Sequence, residues 1–585
     1  MARALATLLG LAALASGVAP FAAQARAASQ AAAVSPLVYT ATAGRVTVGF
    51  GADRADAGGY GVVTAADQLG ALSGGILLLG DNYRLDHDEL DLVALGPDGS
   101  LDRAFGAGGL VQVPGLGLYA VVKIAAEADG SALVLAVNQN NINGPDPLAL
   151  LRLTAAGALD SAFAGGGIDR LPGLSGPADM ALEPNGTIAL ATTAEANTTH
   201  PRVVVTRLAA QGAPIPAFGA GGAVDLPATD EQAVSIALAP DGDLLVLANP
   251  FDLGKPIMLA ALTPAGTFDP AFHGGAPILA GEDSPSAAPQ SADEQLLVQG
   301  DGTIEVLYSP VTLAMGEPFL SHELSIGAYT PAGAIDAAFG QAGTLGLALS
   351  VEAGLPTGEE PGTQALLLPT ADEDTLVLVP TASDAPQVIR LLPDGQPDPS
   401  FGGARGRTIQ LGFGGETTGE GSVSGGSDFG ETAVERADGT ILVAGTVELA
   451  YFNGGGTGFS NTLVTHDAVA ALTPGLQRDT VFGRGGPSLA LRVRVIGIRG
   501  SSLVVQVAAT QAASLSAKAT AGGAVIARGS EILLYDEKPS DHALALTGSA
   551  ARRLRAGVQT HVALTLTARA LDGQTRTVHA SATIT

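Results

Sequence analysis

The chain has 585 residues, with no Cys, no Trp, four Met and a formal net charge of −28. Without Cys it has no disulfides and no thiol catalysis, and at this length it can bury a sufficient core without cross-links. The charge is uneven: Val495 to Thr585 carry nine Arg or Lys against five Asp or Glu, net +4, which leaves −32 on residues 1–494 and argues against binding a phosphate backbone.

Arg3, the Ala- and Leu-rich run from Ala4 to Ala19, and the small-x-small sequences Ala23-Gln24-Ala25 and Ala25-Arg26-Ala27 follow the order of a secretory signal peptide. Residues 1–27 are therefore expected to be removed on export, with 28–43 as a linker. No long apolar run recurs, so no transmembrane segment is expected in the mature chain.

From residue 44 to 494 one frame repeats. Its clearest copy is Leu95-Gly96-Pro97-Asp98-Gly99-Ser100-Leu101-Asp102-Arg103-Ala104-Phe105-Gly106, and the same frame ends at Phe163, Phe218, Phe272, Phe339, Phe401 and Phe482. The phenylalanines are 58, 55, 54, 67, 62 and 81 positions apart, the range of a four-stranded propeller blade with variable loops. Between Gly109 and Phe163 the pattern predicts strands over Leu110–Val113, Val121–Ala126, Ser131–Val137 and Leu148–Leu153, with an Asp129-Gly130 hairpin between the second and third. That hairpin recurs at Asn185-Gly186, Asp241-Gly242, Asp301-Gly302 and Asp438-Gly439. The strands after it are apolar throughout, as burial on both faces requires. The seven phenylalanines are expected to fill equivalent wedges between blades. The Asp two or three residues before each should hold its turn through its own backbone, with Pro216 replacing it in the third repeat.

The frames at Leu95–Gly106, Leu392–Gly402 and Ala437–Gly445, with Arg152, Arg207 and Arg390 each preceding Leu, resemble the bacterial delta-60 repeat. The resemblance implies a β-propeller and an exported location, and it supplies no catalytic residues. Ala164 and His273 depart from it where Gly follows Phe, and Gly475 is displaced by one position. Two segments compete to complete the ring, Arg45–Gly49 and Ser488–Val493.

After Val495 the repeat gives way to strict alternation, clearest where Val562, Leu564, Leu566 and Ala568 share one face. Several short strands in about ninety residues suit an immunoglobulin-like sandwich over 495–585. The fold class expected is all-β: a seven-bladed β-propeller followed by a small immunoglobulin-like β-sandwich.

Chemical motifs are sparse. No Ser sits in a Gly-x-Ser-x-Gly elbow, and the absence of Trp removes the usual sugar-stacking platform. The candidate metal ligands are Asp86, His87, Asp88 and Asp91, beside Glu89, with His466 in the corresponding strand of the last repeat. Neighbouring strand residues face opposite ways, so a solvated loop explains the same cluster. The Gly-rich segments 412–430 and 453–461, and 287–294 with its Ser, Pro and acids, read either as recognition loops or as low-complexity linkers. The leading expectation is a secreted or surface-associated, monomeric, non-catalytic protein that binds a protein or surface ligand. The alternative is a metal-dependent hydrolase or lyase working in the channel, and a third reading is calcium held by Asp-rich turns without turnover.

Overall fold

A computed structural model describes residues 37–42, 45–50, 69–72, 75–79, 89–116, 119–127, 129–138, 147–195, 201–226, 231–250, 257–280, 295–308, 323–348, 365–370, 373–379, 387–401, 406–408, 429–436, 438–452, 461–484, 490–509, 513–533, 536–555, 559–570 and 575–584. The described chain is all-β, apart from two short 3-10 turns and one helix.

The strands are β1 (Leu37–Thr42), β2 (Arg45–Phe50), β3 (Leu69–Leu72), β4 (Gly75–Leu79), β5 (Glu89–Leu95), β6 (Leu110–Pro114), β7 (Tyr119–Ala126), β8 (Ala132–Asn138), β9 (Pro147–Leu153), β10 (Ile168–Leu182), β11 (Ile188–Ala194), β12 (Arg202–Leu208), β13 (Ala223–Asp225) and β14 (Glu231–Leu238). They continue as β15 (Leu244–Pro250), β16 (Ile257–Leu262), β17 (Ile278–Ala280), β18 (Gln295–Val298), β19 (Ile304–Tyr308), β20 (Glu323–Tyr329), β21 (Thr344–Ala348), β22 (Leu366–Pro369), β23 (Thr375–Val379), β24 (Gln387–Leu391), β25 (Arg407–Thr408), β26 (Phe429–Glu435), β27 (Ile441–Phe452) and β28 (Asn461–Leu472). The last group is β29 (Leu491–Arg499), β30 (Ser502–Ala509), β31 (Ala513–Ala521), β32 (Ala524–Leu533), β33 (Asp536–Leu546), helix α1 (Gly548–Arg555), β34 (Thr560–Ala570) and β35 (Thr575–Ile584).

Four sheets are plain antiparallel meanders: β3-β4-β5-β6, β14-β15-β16-β17, β18-β19-β20-β21 and β22-β23-β24-β25. A seven-stranded sheet runs from β7 to β13, because β10 pairs with β9 through its first half and with β11 through its second. The register shifts where the halves meet, near Ser175. A five-stranded set runs β1-β2-β28-β27-β26. The strands nearest the middle of each sheet are buried on both faces: Ile188–Ala194, Ile257–Leu262, Ile304–Tyr308 and Thr375–Val379 are buried throughout. That burial is why their sequences are apolar without alternation.

The sheets are offset by one strand from the sequence frame. Leu110–Val113, expected to open the unit ending at Phe163, lies in β6 and pairs with β5, so it closes the preceding sheet. The turn at Phe105 reverses the chain, and a reversed chain returns along the strand it has just left. The same offset explains Arg45–Gly49: β2 pairs with β28, so an N-terminal strand supplies the outer partner of the last three repeat strands. Val46 and Val48 are both fully buried there. Of the competing segment 488–493, Leu491–Val493 instead lie in β29, which pairs with β30 and spans the expected 494/495 boundary, while 488 and 489 fall outside the described residues.

The first strands form a closed series of neighbours. β3 packs beside β7, β7 beside β10, then β14, β18, β22 and β26, and β26 lies beside β3 again. A second device follows the same cycle at the turns. Wherever the residue after the Phe is described, it donates its N–H to a turn carbonyl in the next repeat: Gly106 to Ala156 (2.8 Å), Ala164 to Gln211 (3.0 Å), Gly219 to Ala265 (2.9 Å), His273 to Ala332 (2.9 Å), Gly340 to Asp394 (2.8 Å) and Gly483 to Asp98 (2.7 Å). The Gly following that carbonyl lies against the Phe ring. A Cβ on Gly157 would come within 2.6 Å of Phe105, and one on Gly212 within 3.1 Å of Phe163. Gly suits the turn because it also takes the positive φ needed there without strain.

The C-terminal strands run in the order β29-β30-β33-β32-β31-β34-β35. The order contains a weak joint: β32 and β33 share only the pairs Ala527↔Leu546 and Arg528↔Ala545. A three-stranded set and a four-stranded set therefore meet at one corner, while β29 packs beside β35 at the other side. Their common core includes Leu503, Val505 and Leu544 from the first set and Leu515, Val562, Leu564 and Leu566 from the second.

Candidate functional site

Each repeat turn is built the same way. The Asp three residues before Phe accepts a backbone N–H from two residues on: Ala104 to Asp102 (3.0 Å), Ala162 to Asp160 (3.0 Å), Ala271 to Asp269 (2.9 Å), Ala338 to Asp336 (3.0 Å), Ser400 to Asp398 (2.8 Å) and Val481 to Asp479 (2.9 Å). In the third repeat the residue in this place is Ile215, one position before the expected Pro216, since its N–H takes the matching bond to the Arg207 carbonyl (2.9 Å).

Beside this turn lies the Arg of the repeat, at the next-to-last position of the third strand and close to the first hairpin of its own sheet. Arg207 holds Glu183 with both arms, Nε to Oε1 at 2.7 Å and Nη2 to Oε2 at 2.6 Å. Its Nη1 donates across to the Pro264 carbonyl of the next repeat (2.5 Å), and its guanidinium carbon lies 5.9 Å from the centre of the Phe218 ring. Arg152 repeats the pattern, with Nε 2.6 Å from Glu127 and 3.7 Å from Asp160, and Nη1 donating to the Ala210 carbonyl (3.1 Å). Arg390 lies 2.5 Å from Asp374 and 3.9 Å from Asp398. Where the last repeat meets the first, Ala471 takes the Arg position and Arg436, from the end of β26, donates to the equivalent Pro97 carbonyl instead (3.0 Å). Arg152 and Arg207 thus satisfy buried carboxylates and cap turn carbonyls of the next repeat at once.

The first repeat carries Ala94 in the Arg position, and the fourth lacks the Arg as well. Ala261 stands in the Arg position, Asp243 in that of Asp374, and Asp269 in that of Asp398. The space a guanidinium would take is a cavity of about 190 Å³, lined by Asp241, Asp243, Ala261 and Asp269 on one side and by Asp301 and Pro331 of the next repeat on the other. Pro331 corresponds to Pro264, the residue that accepts from Arg207. Burial, the neighbouring Asp241 and Asp269 carboxylates and a hydrogen bond to Asp269 push the Asp243 carboxyl up to about 6. Among the described residues, no cationic side chain lines the cavity.

The fifth repeat also lacks the Arg, with Ala328 in its place, but seals the gap differently. Gln299 Nε2 donates to Thr375 Oγ1 (2.7 Å) and to Glu305 Oε1 (3.1 Å), and the Thr375 hydroxyl lies 2.9 Å from both Glu305 oxygens. Glu305 is buried, and desolvation holds its carboxyl above the ordinary range despite these donors.

Of the expected metal ligands, Asp86, His87 and Asp88 lie outside the described residues. Asp91 is buried in β5 and accepts from Gln112 Nε2 (3.0 Å) on the paired strand β6. His466 lies in β28 opposite Val447, in a different sheet. Among the described residues, no group of three or more His, Asp or Glu is placed to hold a metal ion. Segments 287–294 and 453–460 are also outside the description, as is nearly all of 412–430. Phe105, Phe163, Phe218, Phe272, Phe339, Phe401 and Phe482 are all buried. The carboxylates of the cleft were not singled out by sequence. Their one signal is Ala260-Ala261-Leu262 where the second, third and sixth repeats place Arg before Leu, a weak one because Ala94, Ala328 and Ala471 stand there in other repeats.

A family model described as a domain of unknown function (DUF5122) beta-propeller matches residues 381–401. No curated protein matches the chain. Among solved structures, a protein of unknown function from Dyadobacter fermentans aligns at 12% identity with a TM-score of 0.31, covering 60% of this chain and 95% of that one. An acylaminoacyl peptidase from Pyrococcus horikoshii aligns at 7% identity with a TM-score of 0.33, covering 76% of this chain and 57% of the peptidase. The family match falls on β24, its Arg390 and the turn that ends at Phe401, the same frame that recurs along the chain, and it relates this all-β protein to the β-propellers.

Proposed function

We propose that the protein is an exported, non-catalytic binding protein: a seven-bladed propeller of delta-60-like repeats followed by an immunoglobulin-like sandwich, acting as a monomer at or outside the cell surface. The closed series of first strands and the seven buried phenylalanines support the count of blades. The three- and four-stranded sets joined by two residue pairs support the sandwich. The binding reading rests on the cleft between the fourth and fifth repeats, a preformed cavity with convergent carboxylates at a place that Arg152, Arg207, Arg390 or the Gln299–Thr375–Glu305 cluster fills in the second, third, sixth and fifth repeats. The −32 balance of residues 1–494 adds a field that draws cationic partners.

The test is fluorescence anisotropy of the full chain with labelled decapeptides that are cationic, neutral or acidic, at low and moderate salt. Binding confined to the cationic peptide and weakened by salt is expected. Failure to bind any of them, or equal binding of all three, would overturn the reading.

A further inference from the structure

We propose that the cleft between the fourth and fifth repeats is a guanidinium-binding site, which takes an arginine side chain supplied from outside the chain into the place that Ala261 leaves open. The inference rests on the binding reading above and names the ligand group and the residues that hold it.

The carboxylates alone would not carry it, since acidic clusters are commonly solvated. The independent observation lies elsewhere in the same chain. In the sixth repeat, the two carboxylates at the positions of Asp243 and Asp269 are Asp374 and Asp398, and Arg390 Nε lies 2.5 and 3.9 Å from them. In the second repeat, the equivalents of Asp241 and Asp269 are Asp129 and Asp160, which lie 3.8 and 3.7 Å from Arg152 nitrogens. In the third, the carbonyl at the Pro331 position, that of Pro264, accepts from Arg207. The fourth repeat thus keeps, without the arginine, the carboxylate positions that lie beside Arg390 and Arg152 and the carbonyl position that accepts from Arg207, while Ala239 stands where Glu127 and Glu183 hold Arg152 and Arg207.

The space supports the same occupant. The cavity of about 190 Å³ is far larger than the roughly 10–15 Å³ that admits a single water. Leu245, Phe272 and Ile304 supply apolar wall beside the carboxylates. A flat, delocalised cation suits such a mixed wall better than a strongly hydrated ammonium, because guanidinium loses less on shedding water and matches carboxylates with two donors at once. A divalent ion would need several oxygens converging on one point, and no such group is placed among the described residues.

The experiment titrates the full chain with N-acetylarginine amide, with its neutral isostere N-acetylcitrulline amide, with N-acetyllysine amide and with calcium, read by calorimetry and by melting temperature. Arginine amide is expected to bind and raise the melting temperature, with citrulline amide silent and lysine amide weaker. Asp243→Asn should lower the affinity at least about tenfold, the loss of one charge-assisted hydrogen bond. Ala261→Arg should fill the cavity from within and abolish binding. If that variant fails to fold, Asp269→Asn on the partly exposed turn takes its place, with the same loss expected as for Asp243→Asn.

Equal binding of arginine and citrulline amides, or affinity unchanged in Asp243→Asn and Asp269→Asn, would overturn the site. Calcium binding that these variants abolish, with no response to arginine amide, would replace it with a metal site. Cationic decapeptides that still bind the variants would leave the binding reading standing while removing this site from it. A decapeptide with one arginine that binds more tightly than the free amide would identify a polypeptide as the source of the group, whereas equal affinities would point to a small guanidino compound.

Discussion

Gly483 donates its backbone N–H to the carbonyl of Asp98 at 2.7 Å, joining the last repeat to the first by the bond that joins each of the first five repeats to its successor. Next to it, a Cβ on Gly99 would lie 2.9 Å from Phe482 Cζ, and Gly99 has φ +77. The last Phe therefore packs under the first turn as Phe105 packs under the second. Phe482→Ala should cost about 3–5 kcal/mol, as truncation of a buried aromatic does. Gly99→Ala should cost about 1–2 kcal/mol for the left-handed backbone, and more for the contact. Denaturant midpoints of both variants, set beside Phe163→Ala, check this. A Phe482→Ala loss well below that of Phe163→Ala would mean that the closing junction adds little to stability.

Arg207 and Glu183 form a nearly buried pair with exposures of 11% and 6%. Removing one partner strands the other, so Arg207→Ala is expected to destabilise by about 3–5 kcal/mol. Arg207→Lys keeps the charge and loses the double contact and the reach to the Pro264 carbonyl, so a smaller loss is expected. The double variant Arg207→Met with Glu183→Leu should recover most of the loss. Urea unfolding of the three proteins measures the order, and a double variant worse than Arg207→Ala would contradict it.

Much of this was legible in sequence because the repeat writes its turns in residues with few conformational alternatives. Phe105, Gly99 and Asp102 each have one job that few other residues do, so their recurrence marks the units directly. Strand membership was less legible. Leu110–Val113 reads as a strand in any frame, and only pairing with β5 shows which sheet owns it. The same holds for Arg45–Phe50, whose partner β28 lies at the far end of the repeat region. The acidic cleft was hidden for another reason: Ala261 is ordinary by itself and informative only against Arg152, Arg207 and Arg390.

Leu476 shows the fold overriding local preference. It has φ +56 at the turn position that Gly157, Gly212 and Gly395 take in other repeats, and its N–H bonds the Thr473 carbonyl (2.7 Å) as theirs bond equivalent carbonyls. Its side chain is buried in the cluster that contains Phe401. Leu476→Gly would relieve about 1–2 kcal/mol of left-handed strain. It would also remove a buried Leu, for which truncation costs about 2–5 kcal/mol. The second effect is larger, so a net loss of about 1–3 kcal/mol is expected in thermal or urea unfolding. A more stable variant would show that the backbone strain dominates.

Glu305 makes stability depend on pH in a direction opposite to most carboxylates. Desolvation, the largest influence, raises its carboxyl above 4.5, and Asp301 adds to the rise, while the donors Gln299 and Thr375 act against it. A carboxyl whose folded pKa exceeds its unfolded one binds its proton more tightly when folded. The stability it gives is complete below about 4.5 and declines as pH rises through the folded value. Glu305→Gln keeps the shape and cannot ionise, so it escapes that decline. The melting temperature of the variant relative to the parent should therefore rise between pH 4 and pH 8, with the two proteins closest at the acid end. A difference independent of pH would mean that Glu305 ionises in the fold as easily as it does in water. A difference that falls with pH would mean that the ionised carboxylate is the form the Gln299 and Thr375 donors stabilise, and that their hydrogen bonds outweigh burial.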